Sequence, residues 1–463
     1  MPLFRSKENK LFALFVPIFL ETFFLMLASM VDTLMLSYVG DSAVGAVGTA
    51  TTYLSMFFIL FGVMSSGLIA VMTQYIGYGK KGVAVQARNA AIIINGSIGL
   101  ALSLILGLAA GPIIDALGVS AALREDAIIY LRVVGAGCLL DALIPVFSCY
   151  LRGFDKPRMS LIAAFSGNVV NIIFNSLAIF VIKTGFFGGV SGVATGTIIG
   201  KLFNIGLCLL FGYLCVHGGQ YKERIEIKKL IKSILRVGFP AALETAIYSA
   251  AMAVVMIFVG KMDTNGFNAT AKTYGQQLSS FAYCASFSFA QANVIIAGWN
   301  IGEGELKACY KTTRKAAIIA ILAGIGVETI IASTSPWLLR IFTQDAELIS
   351  VVQKLLFVDI ALEVGRSTNL VYGITLKSTG DSIYPAILAV IFNALCAVGG
   401  SYLFGIVLQW SVFGVFVGLA LDECVRGVFM YLRWRSGKWE NKVLVKKETI
   451  PPEPVELSVR EEQ

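Results

Sequence analysis

The chain has 463 residues, of which 57% are apolar and only 14% charged, against roughly 25% charged in soluble domains. That balance cannot be kept in solution, and the apolar positions fall in blocks of about 20 or more residues, the length that crosses a hydrocarbon core of roughly 30 Å. One histidine, His217, excludes His-based metal centres, and the chain has no G-x-x-x-x-G-K-[ST], G-x-S-x-G or C-x-x-C pattern.

In chain order, the apolar blocks at 11–37, 44–73, 90–114, 127–151, 159–182 and 189–215 predict six membrane spans. Those at 233–260, 270–298, 315–339, 348–376, 383–408 and 412–434 predict six more. The first block is too long for a cleaved signal and carries Glu21 and Asp32. The eight cysteines read as small buried apolar residues. With both termini cytoplasmic, 27 of the 37 Lys and Arg fall in inner segments, six in outer loops and four within spans. That is the bias expected of a multi-pass protein of the cell (inner) membrane. The predicted organisation is an N-terminal six-helix lobe (1–216), a basic cytoplasmic linker (217–236), a C-terminal six-helix lobe (237–435) and a polar tail (436–463) expected to be disordered.

The halves repeat. Val16-Pro17-Ile-Phe-Leu-Glu21 matches Phe239-Pro240-Ala-Ala-Leu-Glu244 at an offset of 223, and Asp155 matches Asp381 at 226. Gly192-Val-x-x-Gly196 matches Gly414-Val-x-x-Gly418 at 222. Each half has an even number of spans, so both have the same orientation. The expected fold is an all-α membrane protein of twelve transmembrane helices, in two six-helix lobes related by a pseudo-two-fold axis along the membrane normal. The glycines of spans six and twelve recur every fourth residue, leaving a flat strip for close helix packing.

Ionisable groups inside a bilayer are candidate sites by default. Asp32 lies roughly 8 Å below the outer end of span one, Thr197 roughly 12 Å into span six, and Asn171 and Asn175 roughly 16 and 10 Å into span five. The spacing of Asn171 and Asn175 puts them on one helix face. One carboxylate, two amides and a hydroxyl thus converge in depth. The set suits Na⁺, which wants oxygen ligands, and equally H⁺, which a carboxylate withdrawn from water accepts readily. In the second half, Glu244 and Arg366 are both roughly 15 Å deep, and Glu363 shares a face with Arg366. A buried cluster of Glu244, Glu363 and Arg366 is expected, with Asp359 on its cavity side. Lys201 is a candidate to neutralise Glu21 and Asp141, and Asp422, Glu423 and Arg426 suggest a further network. Gln276, Gln277, Tyr283, Gln291 and Asn293 of span eight are candidates to line a cleft, where rings such as Tyr248, Phe281 and Phe287 would suit flat cations.

Pro17-x-x-x-Glu21 with Met30-Val-Asp32-Thr-Leu-Met-Leu-Ser-Tyr-Val-Gly40 resembles the opening of the multidrug and toxic compound extrusion family. Gln74-Tyr-Ile-Gly77-Tyr-Gly79, Leu151-Arg-Gly153-Phe-Asp155, Gly192-Val-Ala-Thr-Gly-Thr197, Glu363-Val-Gly-Arg366-Ser-Thr-Asn369 and Ser378-Thr-Gly380-Asp381 fit in the same order. The resemblance spans about residues 8–435. It implies twelve helices in two lobes, cation-driven efflux of organic compounds, and a coupling-ion site in the N-terminal lobe around the span-one Asp. The chain carries Asn175 where some members have Asp, which leaves one acid there.

The expected function is a secondary-active antiporter, not an enzyme, exporting organic cationic compounds in exchange for H⁺ or Na⁺. The alternative is a lipid-linked precursor flippase or polysaccharide exporter of the same superfamily. That function would favour a strongly cationic cavity, whereas the intraspan bases are Arg132, Lys201, Arg366 and Arg426 among more numerous acids. No cofactor is expected besides the coupling ion. The expected partners are a small organic substrate and membrane lipid, with no nucleic acid, and the chain is expected to work as a monomer.

Overall fold

A computed structural model describes residues 7–116, 121–183, 185, 187–216, 221, 223–262, 266–341 and 343–445. In the first lobe, span one is Lys7–Ser37, span two Asp41–Gly77 and span three Lys81–Leu108. Span four is a pair of helices, Ala121–Ala136 and Cys138–Gly153, bent by 45°. Gly137 stands at the bend, where a side chain would run into Ile198 of span six. Span five is Pro157–Ser176, continued as wider π turns over Leu177–Ile182, and span six is Gly189–Val216.

The second lobe repeats this order. Span seven is Ile227–Gly260, span eight Phe267–Glu303, span nine Leu306–Leu339 and span ten Ala346–Thr379. Span eleven is Ile383–Phe392 continued as π turns over Asn393–Val407, and span twelve is Ser411–Arg435. Eight of the described helices are long and apolar enough to cross a membrane unaided, and the bent pair makes a ninth. Spans ten and twelve hold buried charges instead, Asp359, Glu363, Asp422 and Arg426 among them.

The repeat is structural as well as sequential. Pro17 and Pro240 both lie inside their helices, and spans five and eleven both end in π turns. The glycine strips hold spans five and six, and eleven and twelve, in near backbone contact. A Cβ on Gly200 would come within 2.7 Å of Gly167 O and 2.8 Å of Asn171 Cβ, and one on Gly418 within 2.6 Å of Ser401 N.

The lobes meet at the end of the bundle where span one begins and span twelve finishes, the terminal end. The Phe15 and Phe289 rings stack at 3.7 Å between centroids. Gly298 faces Thr73, and Gly302 faces Gln74, too closely for either glycine to carry a side chain. Trp299 Nε1 donates to Gly153 O at 3.2 Å, and Gln74 Nε2 to Ser378 O at 2.8 Å.

Two of the segments read as polar differ from the sequence reading. The helix of span seven starts at Ile227, inside the segment read as linker. Its first turns are amphipathic, with Leu230 and Ile234 buried while the lysines face outward, so average hydropathy hides them. The tail read as disordered is ordered to Val445. Trp439 is fully buried, stacks on Trp434 at 4.4 Å, and the backbone N–H groups of Leu444 and Val445 donate to Gln74 Oε1 at 3.2 and 3.1 Å. Residues 446–463 lie outside the described residues.

Candidate functional site

The structure brings together all four residues of the expected coupling cluster. Asn175 Nδ2 donates to Asp32 Oδ1 at 2.9 Å. The Asn171 amide satisfies its surroundings with its nitrogen toward Asp32: Nδ2 donates to Asp32 Oδ1 at 2.9 Å, and its oxygen accepts from Thr197 N at 3.1 Å and Oγ1 at 3.3 Å. Both asparagines are buried, and Asp32 and Thr197 are half-buried. Asn175 Oδ1 is buried with no hydrogen-bond partner among the described residues. The glycine strip sets this geometry, because Gly196 lies against Asn175 and Gly200 against Asn171.

The same place in the second lobe is apolar except for one buried hydroxyl, Ser401, which stands for Asn175. The offset of 223 pairs Asp32 with Val255, and 222 pairs Thr197 with Leu419. Gly418, the counterpart of Gly196, lies against Ser401 where Gly196 lies against Asn175. Ala397, one turn before Ser401, then stands for Asn171. Val255, Ala397 and Leu419 pack together in one buried apolar cluster. The fold therefore closes here without an acid and two amides, so the polar set in the first lobe is not demanded by packing.

The other two candidate acids of the first lobe, Asp141 and Glu21, are paired. Lys201 Nζ lies 2.8 Å from Asp141 Oδ2, as one of the expected pairings requires. Glu21 pairs not with Lys201 but with Arg152, at 2.6 Å, and also accepts from Ser160 Oγ.

The second lobe corrects one grouping. Glu363 pairs with Arg366 at 2.9 Å and accepts from Ser286 at 2.5 Å and Ser367 at 3.2 Å. Arg366 Nη1 also donates to Ser279 at 3.2 Å, and Ser279 donates to Asp359. Asp359 is buried against span eight rather than open to a cavity. Glu244 is not in this cluster; it pairs with Lys377 at 3.1 Å. Equal depth did not make it a neighbour of Arg366. Span seven packs chiefly on spans two and eleven and touches span ten only slightly, so Glu244 meets the long lysine near that helix's terminal end. Asp422 and Glu423 both pair with Arg426, at 2.5 and 3.0 Å, as the expected network requires.

Of the candidate cleft residues, Gln276, Gln277 and Tyr283 are exposed and Gln291 is half-buried. Gln276 Oε1 accepts from Lys272. Tyr283 stacks on Phe287 at 5.6 Å, and both it and Tyr248 have Arg366 as a charged neighbour. Asn293 is not in the cleft: it is fully buried and ties span eight to Thr313 and Thr375. Sequence reasoning missed Glu328 of span nine, which is fully buried with neither carboxylate oxygen hydrogen-bonded among the described residues. Its signal was available, as a lone acid between Gly324-Ile-Gly-Val and Thr-Ile-Ile-Ala332.

A model of the MatE family matches residues 17–177 and again 240–403, one match for each lobe. The chain is 30% identical to the "Uncharacterized transporter YisQ" of Bacillus subtilis, over 94% of this chain and 96% of that one. It is 25% identical to the "Probable multidrug resistance protein NorM" of Thermotoga maritima, over 96% and 95%. Among solved structures, it superposes with a TM-score of 0.83 at 21% identity on "MATE in complex with MaD3S", covering 92% of this chain and 95% of that one. For the "outward-facing conformation of a multidrug resistance MATE family transporter" the TM-score is 0.82 at 20% identity, with the same coverage. With both lobes matched and the twelve-span, two-lobe fold in place, the chain belongs to the MatE family of multidrug efflux transporters, and is a membrane transporter rather than an enzyme.

Proposed function

We propose that this chain is a secondary-active antiporter that carries organic cations out of the cytoplasm, across the cell membrane, as protons enter through Asp32. The observation that carries the reading is the Asp32–Asn171–Asn175–Thr197 cluster, set where the other lobe packs Val255, Ala397 and Leu419. An acid placed where the fold does not need one is there for its charge.

The donor set favours H⁺ over Na⁺. Two amide nitrogens point at Asp32 and occupy directions that a metal ion would need filled by oxygens. They suit the ionised carboxylate. When a proton arrives, Asn175 has an unpartnered oxygen to offer the new O–H if its amide turns over. Asp32 thus has a bonded arrangement in either state, and the exchange between them can be tied to movement of span one against spans five and six.

The Lys and Arg distribution supports a cytoplasmic terminal end, and the contacts that close that end then describe a protein facing outward. The multidrug names of its relatives support an organic substrate. The excess of acids over bases around Arg366, with the Tyr248 and Tyr283 rings beside it, supports a cationic one and speaks against anionic lipid-linked cargo. Antiport requires that ion and substrate favour different states. The test is a drug-resistance panel in a pump-deficient host, with pH and Na⁺ varied. Wild type should confer resistance that follows pH and ignores Na⁺, and Asp32→Asn should confer none at normal expression. Resistance that follows Na⁺, or that survives Asp32→Asn, contradicts the reading.

A further inference from the structure

Glu328 lies on the face of span nine that looks at span ten. One turn before it, a Cβ on Gly324 would meet Glu363 Cγ at 2.8 Å and Ser286 Oγ at 3.0 Å. The two spans run antiparallel, so one turn along each from the Gly324–Glu363 contact brings Glu328 level with Asp359. The charged groups facing it are Asp359, Glu363 and Arg366, all on span ten. Span eight offers the hydroxyls of Ser279 and Ser286, both taken by carboxylates, and its Lys272 is bonded to Gln276 two turns away. Three carboxylates therefore lie near one guanidinium, which contacts Glu363, and among the described residues Glu328 alone of the three has no donor on either oxygen. A buried carboxylate without a donor does not stay ionised beside two others.

We propose that Glu328 is a proton-carrying carboxylate of the C-terminal lobe, loaded in the state seen here, and a second exchange site beside the Asp32 cluster. The loaded state stands on the geometry alone; the exchange role rests on the antiport reading. On emptying, the Glu328 O–H bond breaks and the proton passes to water arriving past Arg366, the partly exposed member of the cluster. The carboxylate left behind then shares the Arg366 guanidinium. Glu328 is not one of the residues matched to the coupling-ion site, and its sequence neighbours are apolar apart from Thr329.

The experiment is infrared difference spectroscopy on purified full-length protein in detergent, with no drug and no gradient. Wild type at neutral pH should show the carbonyl stretch of a neutral carboxylic acid, shifted in heavy water and lost reversibly at alkaline pH. Glu328→Gln should lack one component of that band, and Asp32→Asn should keep it. Glu328→Met, which removes every polar atom at similar volume, should also fold and lack it. A band unchanged in Glu328→Gln overturns the proposal, as does a Na⁺-dependent rise in melting temperature that the variant abolishes. Binding of tetraphenylphosphonium should displace one proton fewer from Glu328→Gln than from wild type. An equal count overturns the exchange role while leaving antiport at Asp32 intact; failure of antiport itself would leave the drug-free band as described.

Discussion

Asn175 gives its amide nitrogen to Asp32 Oδ1 at 2.9 Å while its own oxygen lies buried without a partner among the described residues. A hydrogen bond to a charged group contributes about 1.5–3 kcal/mol. Asn175→Ala should therefore slow efflux by about 10-fold to 100-fold, at about 1.4 kcal/mol per factor of ten, without lowering expression. An efflux time course on cells matched for transporter content checks this. A rate equal to wild type would mean that the bond is incidental.

Gly200 is the backbone contact that sets the position of Asn171. Gly200→Ala would put a methyl 2.7 Å from Gly167 O and 2.8 Å from Asn171 Cβ, an overpacking that costs about 1–3 kcal/mol. Spans five and six should separate locally, so transport should fall more than the melting temperature. Gly206 on the same span meets nothing within 4 Å, and Gly206→Ala should melt and transport like wild type. Equal behaviour of the two variants would show that the strip does not position the site.

Arg366→Ala should lose more stability than Glu244→Gln. Arg366 holds Glu363 and Ser279 together next to Asp359 and Glu328, and removing one partner of a buried pair costs about 3–5 kcal/mol. Glu244→Gln frees only Lys377, two residues from the end of its helix, whose long stem can carry the charge to water. Thermal melts of both variants decide this, and a larger drop for Glu244→Gln would contradict the pairing.

Gln74 ties the lobes to the ordered tail: it donates to Ser378 O and accepts from the N–H groups of Leu444 and Val445. Gln74→Ala strands those buried backbone groups, at about 1–3 kcal/mol for each unsatisfied one. The variant should melt earlier, and the segment after Arg435 should be cleaved faster in limited proteolysis. Proteolysis at the wild-type rate would mean that the tail is held by the stacking of Trp439 on Trp434 alone.

Much of this was legible in the sequence. The twelve spans followed from block length and loop charge, and the Asp32 cluster followed from depth, since residues roughly 8 to 16 Å deep on spans one, five and six did meet. Depth failed for Glu244, because it places a residue along the membrane normal and says nothing of which helix stands beside it. The start of span seven was hidden because Leu230 and Ile234 alternate with lysines. The ordered tail was hidden because two tryptophans, Trp434 and Trp439, anchor a segment that is polar on average. Glu328 was visible as a lone acid, but its lack of any donor is a property of neighbours that only the packed lobe supplies.

Exchange at Asp32 is tested most directly in proteoliposomes free of Na⁺, with a pH gradient imposed and a fluorescent organic cation followed. Wild-type protein should drive the cation against its gradient toward the acidic side, stopping when the pH difference is dissipated, and Asp32→Asn should leave it at equilibrium. Cation pumping by Asp32→Asn at the wild-type rate, or pumping by wild type that needs Na⁺ and ignores the pH gradient, would contradict proton exchange at this site.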